Sequence, residues 1–253
     1  MGGDRDGNPY VTPDVTVETV RRLRMAAIKR LVTRIEGLSE RLSQSTRQVG
    51  VTSALVASLE ADAALFPETA RMLTKRNPFE LYRQKCTYVR EKLLHSLEHA
   101  ESHVPSFTRE PKAPFPRGEG YVDAAGLLAE LDIIADSLRT HGAEDFVANV
   151  LVDIRREVEV FGLHVATLDV RQHSERHESA LAELFALTGV CADYRALDEA
   201  ARVALLSSEL ESPRPLVPAR LGFSDETNET IETFRTISAV LEHLSPGAID
   251  TYI

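Results

Sequence analysis

The chain has 253 residues and a mass of 28.0 kDa, enough for one large domain or two small ones and for a buried core. Its 43% hydrophobic and 27% charged residues match a soluble globular protein and exclude disorder over the whole length. A formal net charge of −10 opposes broad nucleic-acid binding. No apolar run approaches the roughly 20 residues that span a bilayer, and no charged-then-apolar leader opens the chain, so the expectation is a cytoplasmic protein with no membrane contact.

The chain opens on a dense turn, Gly2 to Pro9, with no element before it. Thr12-Pro13-Asp14 then gives helix start signals, and Val17, Val20, Ala27, Ile28, Leu31, Ile35, Leu38 and Leu42 recur at helical spacing. Arg21, Arg22, Lys29, Arg30 and Arg34 line the opposite face, but Glu18, Glu36 and Glu40 are interleaved with them, which reads as a solvated helix face. A second helix is predicted over 52–66, closed by Pro67, a short third over 71–75, and a long fourth from Asn77-Pro78 through Leu97. Repeated prolines from Pro105 to Pro116 predict a surface loop over 104–118. Helices follow over 123–140, stopped at His141-Gly142, and over 143–161.

Residues 163–170 break the helical period, and Val165, Thr167 and Val170 favour a short strand. Helical patterns resume over 175–187, 197–210 and 225–241, separated by a turn-rich stretch around Pro213, Pro215 and Pro218. The chain ends on a short apolar approach through Ala248, Ile249 and Tyr252. A mostly α-helical chain with isolated strands implies either a small internal sheet or a parallel sheet or barrel whose other strands lie elsewhere. Cys86 and Cys191 are far apart, without metal-ligand spacing, and read as reduced thiols.

Two constellations carry candidate chemistry. Gly2-Gly3-Asp4-Arg5-Asp6-Gly7-Asn8-Pro9 can bring backbone and charge close to an anion, or can serve only as a hydrogen-bonded turn at a helix entry. Asp4, Asp6 and Asn8 also have the spacing that opens a calcium loop, but Pro9 and Val15 stand where that loop needs glycine and glutamate. In the second, Asp169-Val170-Arg171-Gln172-His173-Ser174-Glu175-Arg176-His177, an arginine follows the best strand candidate. The guanidinium of Arg171 can grip a phosphate or carboxylate through two parallel bonds, or merely pair with Asp169 or Glu175. His173 and His177 have the i, i+4 spacing of a metal pair but not the order of residues of zinc peptidases, and His95, His99 and His103 read as a helix edge.

Together, Gly2 to Pro9 and the run Phe161-Gly162-Leu163, Leu168 to Gln172 and Ser174 to His177 resemble two signature segments of phosphoenolpyruvate carboxylases, in the right order. Leu65-Phe66-Pro67, Asn77-Pro78, Tyr82-Arg83 and the 123–142 helix fit the pattern between them, so the resemblance covers the whole chain. It implies an α/β fold, a TIM-type barrel elaborated with helices, of which residues 1–253 form a part cut at both ends, without an internal domain boundary. The implied reaction joins phosphoenolpyruvate and bicarbonate into oxaloacetate and phosphate with Mg2+ or Mn2+, in a cytoplasmic homotetramer. By the same resemblance Arg171 is the phosphate-binding arginine and Arg5 binds substrate. Asp4, Asp6, Asn8, Gln172, Arg176 and His177 line or support the site. His173 departs from the acidic residue usual in the family. The Ala-His-Pro segment, the lysine loop, the acidic metal pair and the Gly-Arg-Gly-Gly loop are missing from the sequence, so the metal ligands are expected outside it and the chain alone is expected to be inactive. The other reading is a non-catalytic helical binding or regulatory module on the same scaffold.

Overall fold

A computed structural model describes residues 2–6, 8, 10–102, 119–218 and 222–253. The proline-rich loop over 104–118, His103, Gly7 and Pro9 lie outside the described residues. Helix α1, Pro13–Arg41, begins where Thr12 accepts the amide of Val15 and Pro13 supplies a preset φ in the first turn. Its apolar stripe packs along α4, Leu81–Ser102. In the chain between these two come α2, Ser53–Leu65, and α3, Pro67–Arg76. Pro67 thus opens a helix longer than the one expected over 71–75, because a missing N–H costs nothing at a first helical position.

Helix α5, Ala124–Thr140, is capped by Asp123 and stopped by His141 and Gly142, as its sequence implied. The helix expected over 143–161 is one rod with a π-helical interruption: α6, Glu144–Phe146, a π turn over Val147–Leu151, and α7, Val152–Phe161. Residues from α1, α2, α3, α4, α5 and this rod close the largest apolar core, which includes Ile28, Leu55, Val89, Leu93, Leu131 and Leu151.

The strand expected over 163–170 is shorter. Gly162 and Val165 both have positive φ, and tight turns occupy the stretch before β1, Leu168–Val170. Leu163 is buried in the helical core while Val165 is exposed, so the kink carries the chain from that core into the sheet. The rest is α8, Ser174–Thr188, α9, Glu199–Glu211, and α10, Asp225–Ala239, which passes through a π turn over Val240–Leu244 into β2, Ile249–Tyr252. Strand β2 pairs in parallel with β1, with an irregularity between Leu168 and Asp169. On the opposite edge of β1, Asp4 forms a parallel bridge with Arg171. The isolated strand therefore has neighbours within the chain, drawn from its first and last residues. A second apolar cluster, with Val17, Val20, Val170, Val240, Leu244 and Ile249, seats this ribbon on α1 and the second π turn. A third, around Leu184, Phe185 and Tyr194, holds α8 to the segment that follows it.

Candidate functional site

Arg171 is the first residue past β1. Its N–H donates to the Gly3 carbonyl at 2.8 Å, and its own carbonyl accepts the Arg5 N–H at 2.9 Å. Gln172 and Ile253 extend the other edge, where the Gln172 N–H donates to the Ile253 carbonyl at 2.9 Å. Side chains alternate across such a ribbon. Asp4, Asp169 and Arg171 are exposed on one side, whereas Val170 is fully buried and Arg5 is 6% exposed on the side covered by helices. The Arg171 side chain keeps 51% of its surface, and its one ion pair among the described residues is with Asp169 at 3.5 Å. A loose pair at an open face leaves the guanidinium able to exchange that carboxylate for a bidentate anion.

In the opening segment, glycine is needed for approach. A Cβ on Gly3 would overlap the Asp169 carbonyl oxygen, and one on Gly2, at φ +81, would overlap the Thr19 side chain. Asp4 Oδ1 accepts the Asp6 N–H at 3.3 Å and Asn8 Oδ1 accepts the Tyr10 N–H at 3.1 Å, so both side chains stabilise turns. Arg5 points away from Arg171. Its Nη2 donates to Thr16 Oγ1 at 2.6 Å, and that hydroxyl donates to the Gly2 carbonyl at 2.6 Å. Burial lowers the guanidinium pKa, opposed by Tyr252 and Glu229.

The second segment is tied into the helix layer. Gln172 Oε1 accepts the His173 N–H at 3.0 Å, and His173 caps α8 by accepting the Glu175 N–H at Nδ1. Arg176 reaches Glu226 at 3.5 Å and Glu229 at 3.3 Å, both on α10. His177 Nε2 lies 3.1 Å from the Tyr252 hydroxyl, and both rings contact Phe234. Burial lowers the His177 pKa, favouring neutral imidazole. The two histidines thus serve different partners, a helix cap and an aromatic cluster. Sequence reasoning missed Thr16, Glu229, Phe234 and Tyr252. Glu229 is 53 residues from Arg176 and carries no local signal, whereas alternation around Tyr252 in a terminal apolar run could have been read as a strand.

The structure defines a mostly α-helical protein with two short parallel strands and an accessible arginine where β1 ends. The phosphoenolpyruvate carboxylase model matches residues 1–253, and the chain belongs to that family. A protein of Roseiflexus castenholzii named phosphoenolpyruvate carboxylase is 52% identical over 253 residues, covering 100% of this chain and 27% of that protein. Proteins of the same name from a Synechococcus strain and from Aromatoleum aromaticum are 36% and 37% identical, again over 100% of this chain and over 24% and 26% of theirs. The chain therefore spans about a quarter of the length of these curated relatives.

Proposed function

We propose that this chain contributes the phosphate clamp of an enzyme that carboxylates phosphoenolpyruvate with bicarbonate, and that Arg171 is the clamp. The observation that carries this reading is Arg171 itself, exposed beyond β1 and held at its backbone from both edges. In the reaction, a bicarbonate oxygen attacks phosphorus, the bond from phosphorus to the enol oxygen breaks, and carboxyphosphate and the pyruvate enolate recombine as oxaloacetate and phosphate. A guanidinium paired to the phosphate offsets its charge against the incoming anion and fixes its direction. Asp169 holds Arg171 extended before substrate arrives.

Arg5 acts from behind, through the backbone it shares with Arg171, and Asp4, Asp6 and Asn8 shape the turn in front. Gln172, Arg176 and His177 fasten the start of α8. The divalent cation implied by the resemblance, magnesium or manganese, finds no donor set here: Asp169 is engaged with Arg171, and no three metal-binding side chains cluster among the described residues. Its ligands are assigned to portions of the relatives that this chain does not span. The parallel ribbon, with neighbours in chain order and helices between them, is consistent with part of a TIM-type barrel. Pairing of residues 3–5 and 249–253 with β1 supports a single domain without an internal boundary. No helix of the described residues is long and apolar enough to cross a membrane, and we assign the protein to the cytoplasm, as a homotetramer by resemblance.

The test is a chimera in which residues 1–253 replace the matching segment of the Roseiflexus castenholzii protein. It is expected to form oxaloacetate from phosphoenolpyruvate and bicarbonate, whereas the isolated chain is not. Arg171→Gln in the chimera should raise the KM for phosphoenolpyruvate by about 100-fold, the loss of a charge-paired contact. A folded chimera without turnover would favour the non-catalytic module instead.

A further inference from the structure

The two signature segments meet along β1, and the second is tied to α10 by a charge that belongs to neither. Glu229, on α10, lies 3.3 Å from Arg176 Nη1 through its Oε2. For Arg5, on the opposite edge of the ribbon, burial is the main influence on the guanidinium, opposed first by Tyr252 and then by Glu229. Arg5 is 6% exposed, spends Nη2 on Thr16, and among the described residues has no hydrogen-bond partner for Nε or Nη1. A buried guanidinium with unmade bonds is costly, and a nearby negative charge lowers that cost.

Arg171 is braced from two sides, and Glu229 acts on one of them. From one side, the backbone of Arg5 and Gly3 brackets Arg171 with hydrogen bonds of 2.9 and 2.8 Å. From the other, Arg176 lies in the first turn of α8, into which the chain passes directly from Arg171. We propose that Glu229 is a positioning residue for the phosphate clamp: by tethering Arg176 in the first turn of α8, it holds the backbone that leaves Arg171. The proposal rests on Arg171 being that clamp. Glu229 itself touches no substrate. A plain staple between α8 and α10 would use the same ion pair but would leave substrate affinity alone.

The chimera described above separates these roles. Glu229→Gln keeps the size and removes the charge; it should raise the KM for phosphoenolpyruvate about tenfold, with kcat held within about twofold. Glu229→Asp should recover part of the loss. Combining Glu229→Gln with Arg176→Gln should cost less than the product of the single losses, because both remove one interaction. A lower melting temperature with unchanged KM, or strictly multiplicative losses, would overturn the proposal. If Glu229→Gln does not fold, Glu229→Asp carries the test: a KM raised about threefold supports positioning, and an unchanged KM overturns it. The Arg171→Gln control keeps the two readings apart. A large effect there with none at Glu229 sinks only the positioning role, whereas no effect at Arg171 sinks the clamp.

Discussion

Arg5 and Arg171 show how one step of register decides what an arginine does. Arg171 reads as an anion clamp from its place after a strand, whereas the glycine-rich loop of Arg5 leaves its role open and only the family resemblance makes Arg5 a substrate ligand. In the ribbon Asp4 is bridged to Arg171, so Arg5 faces the helices and becomes a buried strut. Register depends on which segments pair, which no single segment encodes. The glycines beside Arg5 were legible as a close approach but not as an approach to what: Gly3 meets the Asp169 backbone. Gly3→Ala should therefore lower stability by about 1–3 kcal/mol, because a backbone carbonyl cannot step aside. Gly37, inside α1 with nothing within 4 Å of a built Cβ, gives the contrast: Gly37→Ala should gain up to about 1 kcal/mol from helix propensity. Urea unfolding of both variants measures the difference, and a Gly3→Ala midpoint equal to wild type would remove the packing argument. The cysteines separate in the same local way. Burial pushes the Cys86 thiol up to about 12, while Cys191 is half-buried, so a thiol reagent should label one site in the native chain and two in denaturant.

Elements were more legible than their partners. Helix periods and caps are local, so Thr12, Asp123 and Gly142 announced boundaries that the structure keeps. Residues 163–167 were misread because β-branched Val165 favours extended backbone, whereas the passage from helix core to sheet imposes φ +63 on it. Also illegible was the charge network that binds α2, α4 and α5. Lys85 and Lys92, two turns apart on α4, both pair with Asp62 and Glu130, and Tyr121 donates to Glu130. Lysines and carboxylates at those positions carry no local mark of burial, because their partners lie on other helices. Removing one member strands the others in the core, so Asp62→Asn should cost about 3–5 kcal/mol, whereas substitution at the exposed Arg22–Glu18 pair should cost under about 1. Burial raises the Glu130 pKa, but Lys85, Lys92 and the bonds from Lys92 and Tyr121 outweigh it and leave the carboxyl below its usual value of 4.5. Its contribution is therefore present above that value and fades as pH falls through the lower native one. Glu130→Gln should flatten that part of an acid-unfolding curve, and an unchanged curve would mean that the network carries no such linkage.

At the scale of the molecule, three apolar clusters of unequal size share one chain. The largest encloses α1, α4 and α5, each of which buries at least six residues, and Val89 and Leu93 of α4 are fully enclosed. Helix α9 buries none and is held through half-buried Leu205 and Leu206 and through ion and cation–π contacts of Arg202 with Glu178 and Tyr194. Opening α9 exposes little that was hidden, so its free energy of opening should sit well below that of α4. Hydrogen exchange at neutral pH should find α9 amides exchanging at least about 100-fold faster than those of α4, with α8 between them because Phe185 anchors it. The ribbon should follow the second cluster and not the third, since Val170 and Ile249 pack with Val17, Val20 and Val240. Amides around Arg171 would then stay protected while α9 opens, which keeps the backbone of the proposed clamp independent of the least stable part of the chain. Simultaneous exchange of α9 and the Arg171 amide would mean that the clamp depends on α9 and that the clusters form one cooperative unit.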